Sequence, residues 1–408
     1  MENEESVLRQ SIAATSPERI VDSATAVRHD NAMDTAASTV EISLPALNHN
    51  IETIRRVTGP GTLIAPVVKA NAYGHGLTLC ARAFADGGAD WLCVNEVAEA
   101  RAISALGLDL PIYLLGPSQV KEAPAIATLG IHVVSGRREH TVALAVAGRA
   151  LGRSVPIHIK VETGTHRQGY APDAAHQICR ELLSGRHSGA YLAGVTTHLA
   201  DVEDETEHTF ARVQLDRFEA VVAPLPYHVL KHCASSAAQL LFPAARYDMV
   251  RPGIAAYGLW PSRETRIAAE IVHGDVLLRP ALTWKTQLVA IHDAPRGEYV
   301  GYGRTHRLSR DSRIGLLPVG YYDGYDRQLS NRAHVGVNGQ RAPVVGRVCM
   351  NMTMIDLSDV GECSIGDPAI LLGGGIIDAE ELAGHAQTIN YEIVSRIHER
   401  IQRVPIDA

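Results

Sequence analysis

TLIAPVVK (62–69), WLCV (91–94), PIYLL (111–115), HVV (132–134), PIHIKV (156–161), YLAGVTTH (191–198), YHVLKH (227–232) and YDMVR (247–251) are short β-branched or apolar runs, separated by amphipathic stretches of helical length. Near-continuous apolar runs of this kind suit strands buried on both faces. Strands alternating with helix-length segments imply right-handed βαβ units and a parallel sheet, and eight of them fit a closed barrel. The expected architecture is therefore α/β, a (β/α)8 TIM-like barrel.

Past Leu278 the texture changes. ALTWKTQLVAIHD (281–293), RIGLLPVG (313–320), HVGVNGQRAPVVGRV (334–348), MTMIDL (352–357) and AILLGG (369–374) are strand-like runs divided by Gly, Asn-Gly and Asp-Gly turns. Helical periodicity returns in EELAGHA and NYEIVSRIHERI, where Leu382, Ile393 and Ile397 are spaced for one buried face. The expected division is a mobile extension over 1–40, a barrel over 41–277, and a C-terminal mainly-β domain with a terminal helix over 278–408. A chain of 408 residues is long enough for two such units, and 46% hydrophobic against 20% charged residues fits a globular enzyme.

The net charge of −7 advertises no basic face for nucleic acid. The six cysteines stand singly, which suits reduced thiols in a cytosol, so no disulfide is expected. No window approaches the roughly twenty apolar residues of a membrane span, and the first residues lack a basic-then-apolar leader. The reading is a cytoplasmic protein without membrane or nucleic-acid partners. GGG (373–375) reads as a turn, since no Lys-Ser/Thr follows it. His228 and His232, four apart on a strand, lie about 13 Å apart, too far to share a metal, and no metal site is expected.

A barrel forms its active site at the C-terminal ends of its strands. Here those ends carry Lys69, Lys160 leading to Arg167, His198, Ser235 with Ser236, and Arg251. Each alone has an ordinary structural explanation, as a snorkelling lysine, a satisfied histidine or a helix cap. Together they suit one anionic, carbonyl-bearing ligand, because buried charges are costly to collect by chance. Ser235, Ser236 and the Gly253-Ile254 backbone follow the last strands, where barrels commonly hold a phosphate. A strand-end lysine facing a phosphorylated ligand and desolvated among cations becomes a nucleophile for a carbonyl. Pyridoxal 5'-phosphate (PLP) satisfies both demands.

APVVKANAYGHG (65–76), KVETGTHRQGY (160–170), TTHLA (196–200), HCASSAA (232–238), MVRPGIAAYG (249–258), PALTWKTQ (280–287), VGYGRTH (300–306), LPVGYYDGY (317–325), VVGRVCMNMTMID (344–356) and TINYEIVSRI (388–397) together resemble the alanine racemase family, in family order and over most of the chain. The resemblance implies a PLP-dependent racemase working as a head-to-tail homodimer with shared active sites on a small amino-acid substrate. By resemblance, Lys69 binds the cofactor and Tyr302, from the partner's β domain, faces it across the substrate as the second base. Racemisation needs one acid/base group on each side of a planar carbanion. Lys and Tyr both titrate ordinarily near pH 10, so each needs desolvation or positive charge nearby, for which Arg251 and His198 are the candidates.

The resemblance also places Arg251 against the pyridine nitrogen, where a permanent donor keeps that nitrogen unprotonated and weakens the ring as an electron sink. Arg251→Glu is then expected to raise side reactions. Arg167 matches a contact to the cofactor's phenolic oxygen and the substrate. Tyr73, Ser236, Gly253, Ile254 and Tyr391 match phosphate contacts, and Met350 with Tyr321, the latter from the partner, match the rim where the substrate carboxylate enters. Lys160 matches a lysine that the family often carries carbamylated, beside Arg167. The chain departs from the family at Ser235, where Asn is usual, at Glu162, where Asp is common, and at Asn351, where Asp is usual. Asn351 trades an acceptor for an amide, which leaves serine or a broader substrate range open beside alanine. A basic-amino-acid decarboxylase would want a carboxylate in place of Arg251, and a non-catalytic PLP-binding protein would lack the β domain that presents Tyr302.

Overall fold

The computed structural model describes residues 38–203, 208–274 and 276–407. Strand β1 (Ser38–Ser43) comes first and stands outside the barrel. The eight quoted runs then form β2 (Leu63–Ile64), β3 (Leu92–Val94), β4 (Ile112–Leu114), β5 (His132–Ser135), β6 (Val155–Lys160), β7 (Ala190–Thr196), β8 (Leu230–His232) and β9 (Met249–Val250). β3 to β8 lie side by side in chain order, all parallel, and β2 pairs in parallel with β9.

Backbone hydrogen bonds close the ring at both seams. Cys93 N–H donates to Pro66 O (2.9 Å) between β2 and β3, and Asp248 N–H to Lys231 O (3.0 Å) between β8 and β9. All six residues of β6 are buried, as expected of a strand covered on both faces. The helices pack outside by apolar stripes. Leu44–Thr58, for example, buries Leu47, Ile51 and Ile54, at helical spacing, in the core. Each such side chain contributes about 1.5–3 kcal/mol by burial, so a charge at Ile51 would unseat this helix. Ser43 caps it by accepting from Ala46 N–H, and Gly59 at φ 94° ends it.

The second domain contains β10 (Leu282–Gln287), β11 (Ala290–Ala294), β12 (Tyr299–Val300), β13 (His306–Arg307), β14 (Ser312–Leu317), β15 (His334–Val337), β16 (Gln340–Pro343), β17 (Thr353–Asp356), β18 (Pro368–Leu372) and β19 (Gln402–Ile406). Its main sheet runs β16-β15-β18-β10-β1-β19, beside a three-stranded sheet β11-β14-β17 and the β12-β13 hairpin. Asn338 and Gly339, both at positive φ, join β15 to β16 as the Asn-Gly pair predicts.

Three details differ from the sequence reading. The run 281–293 is two strands in two sheets, broken at Leu288-Val289. The helix Asn390–Ser395 is not terminal, since β19 follows it and pairs in parallel with β1. The expected extension over 1–40 and barrel start at 41 fall differently: residues 1–37 lie outside the described residues, while Ser38–Val40 open a strand of the C-terminal sheet. β1 pairs antiparallel with β10, Val40 opposite Trp284, so the chain's beginning, middle and end are stitched into one sheet. No local pattern discloses a partner so far along the chain. Among the described residues no helix is long and apolar enough to cross a membrane, and all six cysteines are unpaired.

Candidate active site

Lys69 ends the first barrel run and opens a turn of the wrong hand. Ala70, Asn71, Ala72 and Tyr73 all have φ between 52° and 54°, a left-handed conformation that costs a non-glycine residue about 1–2 kcal/mol. Fixed partners hold it. Ala70 N–H donates to Glu99 Oε1 (2.7 Å), the Asn71 side chain accepts from Leu77 N–H (2.8 Å), and Arg403 Nε donates to Gly74 O (2.9 Å). A Cβ on Gly74 would fall 2.0 Å from Val394 O, so only glycine lets the turn dock there. Strain held this firmly beside a lysine is the mark of a functional position.

The turn delivers Lys69 to a cavity of about 400 Å³ at the C-terminal mouth of the barrel. Lys69, Tyr73, Lys160, Arg167, His198, Ser235, Ser236, Arg251, Gly253, Ile254 and Tyr391 all line it. Burial, and secondarily the Arg167 charge, lower the Lys69 pKa, although Glu99 pulls the other way. Lys160 is pushed well below the ordinary lysine value by burial and by the Arg251 and Arg167 charges. The His198 pKa is likewise lowered well below the ordinary histidine value, by burial and then by Lys160, Arg251, Arg167 and Lys69. Of the charges near Lys69, Arg167 rather than the expected Arg251 or His198 is the one that lowers its pKa.

Arg251 is buried and donates to His232 Nδ1 (2.5 Å), Thr197 O (3.0 Å) and Cys233 O (3.2 Å). All three acceptors are neutral, so none of them cancels the guanidinium charge and its field reaches the cavity. Arg167 sits on the loop after β6, where Glu162 accepts from Gly164 N–H (2.6 Å) and Arg167 N–H (3.2 Å). Burial works against the Glu162 carboxylate, but backbone N–H groups from His166, Gly164, Arg167 and Thr165 hold its pKa below the usual range. Glu162 therefore shapes the loop rather than lining the cavity.

At the other end, Ser236 Oγ accepts from Gly253 N–H (2.9 Å) and Ala255 N–H (3.2 Å), which leaves its own proton to donate into the cavity. The Gly253 N–H, expected to meet a ligand, is thus already given to Ser236. A Cβ on Gly253 would come 2.4 Å from Tyr73 Oη. Tyr391 reaches the cavity from the second domain, on the helix Asn390–Ser395, which Asn390 ties to Trp260 O (2.8 Å). Its hydroxyl donates to the Glu203 carboxylate (3.2 Å), a cavity-lining acid that the sequence reading lacks.

Four expected residues lie elsewhere. Tyr302, on the turn between β12 and β13, is 73% exposed. Tyr321, Met350 and Asn351 are also exposed, and Tyr321 N–H donates to Cys349 O (3.0 Å), the residue before Met350. None lines the cavity within one chain. A half-buried amine of lowered pKa, two arginines and hydroxyl donors around one cavity can capture an anionic aldehyde and handle a proton beside it.

Residues 42–261 match the family model "Alanine racemase, N-terminal domain" and 281–405 the model "Alanine racemase, C-terminal domain". An alanine racemase from Desulfovibrio desulfuricans is 38% identical over 371 residues, covering 90% of this chain and 97% of its own length. The crystal structure of alanine racemase from D-cycloserine-producing Streptomyces lavendulae superposes with a TM-score of 0.84 at 32% identity, over 91% of this chain and 97% of that one. That of the Bartonella henselae alanine racemase, with covalently bound pyridoxal phosphate, does so at 0.80 and 27%, over 91% and 100%.

Proposed function

The chain belongs to the alanine racemase family and is an isomerase with alanine racemase function, and from that premise we propose that it works with PLP attached at Lys69, as a homodimer in which Tyr302 completes the partner's site. The observation that carries this reading is the arrival of Lys69, Arg167, Arg251 and Ser236 at one cavity while Tyr302 stands exposed outside it.

The residues present fit the cofactor. The cavity offers an amine of lowered pKa, a guanidinium bonded to uncharged acceptors, a hydroxyl proton on Ser236, and a glycine at 253 where a Cβ would collide with Tyr73 Oη. PLP supplies, when bound, the electron-withdrawing ring that acidifies the substrate's Cα–H. Lys69 would hold it covalently and serve as the base on one face, with Tyr302 of the second subunit on the other. Arg251 would donate to the ring nitrogen and keep a proton off it. Arg167 would hold the phenolic oxygen and the substrate side. Ser235, Ser236, Tyr73 and the Ile254 N–H would receive the phosphate, as would Tyr391 once its hydroxyl leaves the Glu203 carboxylate, and the partner's Tyr321, with Met350 and Asn351, would receive the substrate carboxylate. His198 serves as a neutral wall. Lys160, a buried amine whose pKa the Arg167 charge helps to lower, is the place for a carbamate, whose negative charge would hold the Arg167 guanidinium in position; carbon-13 NMR after incubation with labelled bicarbonate tests that group.

The test of the whole reading is solvent α-deuterium incorporation and product chirality from L-alanine and L-serine, with and without PLP. PLP-dependent racemisation that disappears in Lys69→Ala supports it. Racemisation surviving in Lys69→Ala ends it.

A further inference from the structure

A series of buried histidines runs from Arg251 through the barrel. Arg251 donates to His232 Nδ1 (2.5 Å), His232 Nε2 meets His158 Nδ1 (2.8 Å), and His158 Nε2 meets His132 Nδ1 (3.0 Å). His232 and His158 are fully buried on β8 and β6, and His132 is half-buried on β5. Tyr113 packs on His158 and Trp91 on His132, with centroids 4.6 and 4.3 Å apart. Barrel interiors are ordinarily filled by branched apolar side chains, so three imidazoles in line call for a reason.

The wall of the barrel is adapted to them. A Cβ on Gly194 of β7 would fall 2.4 Å from His158 Nδ1, so a side chain there would expel the imidazole. The β6-β7 register also slips between Ile157 and His158.

The proton count fixes the direction of the series. A guanidinium only donates, so His232 Nδ1 is bare and its proton sits on Nε2. That N–H donates to His158 Nδ1, whose proton then sits on Nε2 and donates to His132 Nδ1. Any other tautomer sets two N–H groups against each other, and an added proton anywhere breaks the line. Burial, with the Arg251 charge and the neighbouring imidazoles, favours the neutral form at His232 and His158.

We propose that His158 and His132 are positioning residues for Arg251, acting through His232: a one-way series of neutral imidazoles that supplies the guanidinium with an uncharged acceptor from behind and fixes where it donates in front. This rests on the reading above that Arg251 faces the cofactor's ring nitrogen. A carboxylate in the place of His232 would hold the arginine equally well but would cancel the charge that the ring is meant to feel.

The experiment is nitrogen-15 NMR of the full-length, histidine-labelled protein, with and without PLP, together with the ratio of abortive conversion of the cofactor to its amine form, releasing pyruvate, to racemisation of alanine. Wild type should show bare Nδ1 and protonated Nε2 at His232, His158 and His132 in both states. His158→Phe fills the space but breaks both links, so the hydrogen-bonded Nε2–H signature of His232 should be lost and the abortive fraction should rise. His158→Gln, which accepts at one end and donates at the other, should restore both. Gly194→Ala, which displaces the ring without removing it, should behave like His158→Phe and serves where that variant does not fold. A protonated Nδ1 at His232 in wild type overturns the proposal, as does an abortive fraction unmoved in both His158→Phe and Gly194→Ala. If the tautomers are as expected and Arg251→Glu leaves the abortive fraction unchanged, the assignment of Arg251 to the ring nitrogen fails instead.

Discussion

Arg403, on the last strand of the chain, donates through Nε to the carbonyl of Gly74, 2.9 Å away in the turn that opens with Lys69. Its other nitrogens take Ile397 O (2.8 Å), His398 O (2.7 Å) and Ile401 O (2.6 Å), so one guanidinium ties the end of the second domain to the lysine turn. Charged donors to carbonyls contribute about 1.5–3 kcal/mol, and the left-handed turn needs such restraint. Arg403→Ala is therefore expected to lower unfolding stability by about 2–3 kcal/mol and to speed PLP loss. Arg403→Lys should recover only part, because a single ammonium cannot reach four carbonyls. Urea unfolding and PLP absorbance after dilution measure the two effects, and a wild-type dissociation rate in Arg403→Ala would show that the clamp does not govern the turn.

Lys69 gives a pH dependence whose sign follows from its causes. Burial first and the Arg167 charge second lower its pKa, so the free amine appears at a lower pH than for a solvated lysine, near 10.4. The rate at which cofactor-free protein captures PLP should rise with pH and level off below that value. Replacing Arg167 by Ala removes a charge that opposes protonation, so the midpoint should move to higher pH. A midpoint that stays put or falls in Arg167→Ala contradicts the assignment of Arg167 as the tuning cation.

Away from the site, Glu181 is nearly buried and meets Arg138 twice (2.7 and 2.9 Å), His187 Nε2 (2.9 Å) and Gln177 Nε2 (3.0 Å). Arg138 foremost, then His187, hold its carboxyl far below the usual range against the opposing effect of burial. A depressed folded-state pKa stabilises fully above the unfolded value of about 4.3, and that stability drains away as pH falls through the folded value. With Arg138 half exposed, Glu181→Gln should cost about 2 kcal/mol at pH 7 and progressively less below pH 4. Thermal unfolding across pH reads this directly, and equal losses at pH 7 and pH 3 would count against a charge-based role.

The barrel was legible in the sequence because its strands are buried on both faces and its connections are local, so each βαβ unit announces itself. The cavity residues were legible for the same reason, since strand ends such as Lys69, His198 and Arg251 mark the mouth of any such barrel. β1 and β19 were not, because their pairing joins residues more than 350 positions apart. The histidine series left a trace, with His132, His158 and His232 each in one of the eight runs, but which strands put them in contact depends on register and a bulge. Glu203 gave no signal at all beside the short polar stretch that contains it.

Tyr302 separates a shared site from one built within a single chain. Exposed on its hairpin and absent from the lining of its own cavity, it has Tyr299 nearby under the Arg304 guanidinium (4.1 Å), and Tyr321, Tyr322, Met350 and Met352 of the same domain are exposed as well. Exposed large apolar side chains are the kind that an interface covers. If Tyr302 works in the partner's cavity, Lys69→Ala and Tyr302→Phe damage the same site when they come from different subunits. Each variant alone should lose about 10²–10⁴-fold in rate, as expected for a missing proton-transfer group. Mixing the two after mild unfolding and refolding should yield hybrids with one doubly damaged and one intact site, and so restore up to about a quarter of wild-type activity for random pairing. If Tyr302 serves its own chain instead, every site in the mixture lacks one of the two groups, and activity stays at the level of the parents.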